Sequence, residues 1–248
     1  MIFEVLKETF LRRRFIPMLH VLYVGVYIMV FTIYYLLPSK SPQWGLWLFV
    51  WSGCLFPVLL TAGLFGDDIA SGRILQLLIK PISLGTLYLM RVLGVFIQCM
   101  IHLTVCYLML FIMYLCTEQQ ATGHLGLWFL ASVLISLTWL MLSASISTFM
   151  LREYNVVTVL IGSIVVFMLW QSASIVASIL DWPTVSKVAD GIMIYGVPPV
   201  GLLFRLGMQK YSTTGGLAVT LHAVAMAVMY AVFGIVILTH REFVRKRE

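Results

Sequence analysis

Ten carboxylates, five histidines and four cysteines are the side chains here that can carry protons, attack an electrophile or ligate a metal. Their spacing prepares none of these reactions. His20, His102, His124, His222 and His240 are scattered over separate parts of the chain, and Cys54, Cys99, Cys106 and Cys116 form no CxxC pair. Cys54, Cys99 and Cys106 lie inside apolar runs and read as small buried hydrophobes, not as disulfides or metal ligands. There is no HExxH and no GxSxG, and without a GxxxxGK[ST] the chain holds no nucleotide through a phosphate loop. Two polar groups share a helical face inside apolar runs: Gln98 with His102, and Gln171 with Ser174 and Ser178. Residues spaced this way either line a translocation path or hydrogen-bond one helix to the next. The spacing leaves both open.

The elements that must position these groups are set by composition. Apolar residues make up 61% of the 248 and charged residues 10%, with a mean hydropathy of +1.01. A soluble domain carries roughly 45–50% and about 25%. Water offers nowhere to hide this apolar surface; a bilayer does. The expected fold is therefore an all-α membrane protein in a single domain, 1–248. Each span needs roughly 20 apolar residues and must be helical, because lipid supplies no hydrogen bonds to the backbone. Six runs qualify: 16–37, 44–66, 92–115 (its start at 92 or earlier, in the interface), 125–149, 156–180 and 217–239. Residues 1–14 read as an N-terminal interfacial helix, with Ile2, Phe3, Val5, Leu6 and Phe10 at helical spacing among Glu4, Lys7, Glu8 and Arg12. The outer segment 181–216 is apolar over 191–207 and broken at Pro198-Pro199, which predicts a re-entrant pair of short helices before the last span.

Charge placement orients the chain. With the N-terminus inside, twelve of the sixteen lysines and arginines fall on the inner side. That bias predicts a multi-pass protein of the cell's inner (plasma) membrane, both termini cytoplasmic. The net charge of +6 then reflects topology, and no nucleic-acid partner is expected. All ten carboxylates fall outside the six runs. Ion-coupled carriers usually bury one, so the energy for any transport is expected from another chain.

The segment 67–91 is the one inner connection long enough to receive a partner. It opens with Asp67-Asp68 and Ser71-Gly72-Arg73, continues through a short amphipathic stretch containing Ile74, Leu77 and Leu78, and is stopped by Pro81. Gly72 permits a tight turn. Asp67 and Asp68 suit a helix N-terminus or a charged contact, and the two roles are compatible. Arg91 reads as a snorkelling anchor or as a residue that reports on the loop.

This stretch resembles the permease subunits of ABC-2-type transporters. Their loop reads acidic-x-x-x-Gly-Thr, Leu-Leu, x-Pro-Ile/Val-Ser, then a basic residue entering the third span. Asp68, Gly72, Leu77-Leu78, Pro81-Ile82-Ser83 and Arg91 stand at those places, while Asp replaces the usual Glu, Arg73 the usual Thr and Leu84 a common Arg. The interfacial helix, six spans and re-entrant segment agree along the full chain. The resemblance implies a non-catalytic permease of an ATP-driven exporter. It implies that 67–91 is a cytoplasmic coupling loop docking on a separate ATP-binding subunit, which holds the ATP and Mg. The coupling residues would be Asp67, Asp68, Gly72, Arg73, Ile74, Leu77, Leu78 and Pro81. The path candidates are Gln98, His102, Gln171, Ser174 and Ser178. It implies a second permease copy, identical or homologous, meeting the first across spans one and five, and a surround of membrane lipid. The other readings are a membrane enzyme or assembly factor acting on lipid-linked substrates, and a signalling or scaffold protein.

Overall fold

Apolar runs this long can satisfy their backbone in lipid only as helices. The computed structural model is helical accordingly, with no strand among the described residues. It describes residues 5, 7–9, 21, 24–26, 28–29, 32, 43–74, 82–116, 122–150, 152–179, 183–195, 197–208 and 213–240. In chain order the helices are α1 (Gln43–Thr61), α2 (Gly66–Ala70), α3 (Leu84–Cys116), α4 (Thr122–Ser147), α5 (Arg152–Ile179), α6 (Pro183–Tyr195), α7 (Val200–Gly207) and α8 (Thr213–His240).

Among the described residues, four stretches are long and apolar enough to cross a membrane: Ser52–Ala70, Leu84–Ile112, Leu125–Ser147 and Thr213–His240. They overlap the expected second, third, fourth and sixth spans. The expected fifth falls on α5, whose Tyr154–Val165 portion is a shorter apolar helix. About two thirds of the expected first span lies outside the described residues, as does most of 1–14. The described parts of both, Val5, 7–9 and several residues between 21 and 32, are helical. Two short helices, α6 and α7, flank Pro198-Pro199 where the broken pair was expected. α6 packs on α5, and α7 on α4.

The hub is α4, which touches α1, α3, α5, α7 and α8. Its sequence explains this. Ala131, Ser132, Ser136, Ser143, Ala144 and Ser147 are all buried, and residues this small let helix backbones approach closely. On the α1 side, Ser136 Oγ donates to the Gly53 carbonyl at 2.9 Å. A side chain at Gly53 would put its Cβ 3.2 Å from the Ser132 carbonyl oxygen. On the α8 side, Ser145 Oγ lies 2.5 Å from the Tyr230 carbonyl and 3.2 Å from the Tyr88 hydroxyl. A Cβ at Gly234 would come within 2.6 Å of that hydroxyl. Two glycines on neighbouring helices thus bring α1 and α8 up against α4.

Long helices alternate in direction, so two ends of the bundle can be told apart. The end of α1, the start of α3, the end of α4 and the start of α5 meet at one. Phe49 of α1, Tyr107 of α3, Phe129 of α4 and Phe204 of α7 mark the other. Outward faces carry Leu93, Ile97 and Ile101 on α3 and Leu221, Val228 and Val232 on α8, the kind of surface a bilayer covers.

Candidate functional site

Residues 62–74 gather the polar chemistry at the end of α1. Thr61, the last residue of that helix, turns its hydroxyl back to the Pro57 carbonyl at 2.8 Å, and its Oγ1 lies 2.6 Å from Ser143 Oγ of α4. From α5, Asn155 Nδ2 donates to the Thr61 carbonyl at 3.4 Å. Three helices therefore hold the point where α1 stops.

The chain then turns through 62–65, with Gly63 at φ 66°. Glycine is required here twice over. The left-handed conformation disfavours any other residue, and a Cβ at this position would strike the Asp67 carboxylate. The five-residue α2 follows. Its N-cap position is Phe65, which offers no side-chain cap, so Asp67 and Asp68 occupy the first turn and are not themselves the N-cap. Ser71 closes α2 by donating through both its N–H and its hydroxyl to the Asp67 carbonyl, at 3.0 and 2.7 Å. Gly72, at φ 68°, makes the tight turn its sequence context predicts. Ile74 comes back to bury itself in the cluster containing Leu64, Phe65, Leu87 and Tyr88.

Two expectations need correction here. The carboxylates do not all lie outside the apolar stretches, because Asp68 sits in the last turn of Ser52–Ala70 and is 1% exposed. Arg91 does not snorkel. The third expected span starts at Leu84, not at Val92, so Arg91 stands two turns inside it and is 2% exposed. The physical reason is the same in both cases. Arg91 Nη2 lies 2.7 Å from Asp68 Oδ2, and burial of either charge alone would be prohibitive, whereas the pair is tolerated. The ion pair joins the last turn of one stretch to the first turns of the next.

A third element enters from the N-terminal segment. Glu8 Oε1 lies 2.6 Å from Arg73 Nη2 and 3.9 Å from Arg91 Nη2. Glu8 was not singled out in the sequence. It lies on the polar face of the 1–14 helix like its neighbours, and no spacing connects position 8 to positions 73 and 91. Gly63 was also missed; its one signal is an Asp four residues on.

Of the proposed coupling residues, Asp67, Asp68, Gly72, Arg73 and Ile74 are brought together in this turn. Leu77, Leu78 and Pro81 lie outside the described residues. Of the path candidates, Gln98 and His102 are buried on α3. The His102 ring stacks on Phe56 of α1, with centroids 3.8 Å apart and planes at 16°, and its Nε2 is 3.5 Å from Cys106 Sγ. His102 thus meets the neighbouring helix α1. Gln171, Ser174 and Ser178 are helical positions of α5 whose side chains are outside the described set.

The assembled site carries carboxylates and guanidiniums, glycine-hinged turns and a buried apolar anchor. Such an arrangement ties the end of α1, the turn after it, the start of α3 and residue 8 together. No protein-family model matches the chain, and no curated protein matches it in sequence.

Proposed function

We propose that the chain is the membrane-spanning permease subunit of an ATP-driven transporter of the ABC-2 type, working as an exporter. In this reading it acts as a dimer with a second copy or a homologous permease. The segment 67–91 docks on a separate ATP-binding subunit that holds ATP and Mg. The observation that carries the reading is the Asp68–Arg91 ion pair. A loop that is to drive two helices must not flex between them, and this contact ties the two ends of the loop together inside the apolar layer. The tight turn at Gly72 and the buried Ile74 support it further, since they fix where the chain leaves α2. The motif that resembles the family's loop begins there.

The pure chain in lipid is expected to hydrolyse no ATP. Hydrolysis should appear when a subunit with a phosphate loop is added, and transport should follow it. Leu77→Asp combined with Leu78→Asp should release that subunit or separate hydrolysis from transport. A double variant that inserts normally, keeps its ATPase and transports at the wild-type rate would refute the reading.

A further inference from the structure

We propose that Glu8 is the positioning residue that fastens the helical segment 7–9 to the turn, and that its carboxylate passes from Arg73 to Arg91 when the turn swings away. The purpose of this device rests on the coupling role proposed above; its test does not.

One oxygen faces two guanidiniums, at 2.6 Å and 3.9 Å. They differ in setting. The Arg73 side chain lies just past the Gly72 turn and is 41% exposed, so water and any anion on a partner compete for it. The Arg91 side chain belongs to α3, is 2% exposed and is already fixed by Asp68 at 2.7 Å. A guanidinium has five donors and serves more than one carboxylate at a time. An exposed pair is weak and screened, whereas attraction to a buried cation is screened far less. Glu8 therefore has a second partner within a rotamer change of the first.

The consequence is mechanical. With Arg73 seated, residues 7–9 and the turn move together. When Arg73 is drawn outward about Gly72, Glu8 closes on Arg91 and residues 7–9 stay with α3. Neither state leaves the carboxylate without a cation, so the exchange costs little.

Amide hydrogen exchange at Lys7–Thr9, measured on the full chain alone in lipid nanodiscs, tests this. Glu8→Gln should speed exchange about fivefold, the upper range for a partly exposed ion pair. Arg73→Gln should speed it less than about twofold, because Arg91 takes the carboxylate over, and Arg73→Lys should match the wild type. Both variants leave Asp68 and Arg91 themselves in place at 2.7 Å, so the buried pair that supports the fold is retained. If Glu8→Gln has no effect, the fastening is absent; if Arg73→Gln is as fast as Glu8→Gln, there is no exchange of partners. Either result overturns the proposal. Failure to find an ATP-binding subunit would refute the transporter reading and leave these rates as they are.

Discussion

The two ends of the helical bundle are built from different contacts. At one, Asp68, Arg91, Glu8 and Arg73 share a network around turns made by Gly63 and Gly72. At the other, rings interlock: Tyr107 meets Phe129 edge-on at 5.0 Å between centroids, and Trp128 meets Phe204 in the same way at 5.0 Å. Gly207 of α7 lies so close to the Trp128 indole that a Cβ there would approach within 2.7 Å. Aromatic packing is short-ranged and depends on shape, so a displaced ring leaves a void. Ion pairs are longer-ranged and can change partners. On the exchange proposed above, Glu8 changes partner at the charged end while the Asp68–Arg91 pair and the Phe65–Tyr88 stack stay in place. In the proposed transporter, the end that receives the push is the exchangeable one.

The largest effect expected from breaking this contrast is at the buried pair. Arg91→Met leaves Asp68 as a buried carboxylate without this partner and should destabilise the chain by about 3–5 kcal/mol. Adding Asp68→Asn should restore most of the loss, as read by thermal unfolding in detergent. A double variant no more stable than the single one would show that the charged end depends on the guanidinium's packing, not on its charge.

At the aromatic end, Gly207→Ala should cost about 1–3 kcal/mol through overpacking against Trp128. Trp128→Phe in the same chain should recover part of it by making room, which no change of salt would do. Thermal unfolding of the single and double variants at low and high salt separates the two explanations.

Between the ends, Ser143→Ala removes a 2.6 Å contact with Thr61 and should cost about 0.6 kcal/mol, the average for hydrogen bonds between membrane helices. A loss several times larger would place the joint between α1 and α4 among the main supports of the charged end. The smallest effect is expected from Arg73→Gln, about 0–1 kcal/mol, fading as salt approaches about 1 M. Persistence at high salt would mean that Arg73 is held as firmly as Arg91, and the contrast between the exchangeable outer pair and the buried inner pair would disappear.

Much of this could be read along the chain. Runs of apolar residues announced α3, α4, α5 and α8 to within a few residues at most ends, because backbone pairing in lipid allows only helices. The start of α3, read as Val92 or earlier in the interface, lies at Leu84. The sequence 84–91 is only moderately apolar and carries Arg91, and a charge in such a window looks like a boundary when its partner is not known. Pro198-Pro199 announced the break between α6 and α7 because proline cannot extend a helix. Gly72 was legible because it stands between an acidic turn and an apolar stretch.

What the sequence determined by itself is therefore what local chemistry and the solvent dictate: an apolar helical chain suited to a membrane, its breaks, and a turn after the second apolar run. What only the tertiary structure decided is which charges meet. Asp68 and Arg91 are 23 positions apart, and Glu8 and Arg73 are 65 apart. No periodicity relates such positions; they become neighbours because α4 presents small residues to its partners and the bundle closes around it. A charge is hidden or exposed according to the partner it finds, and that partner is fixed only when the helices have packed.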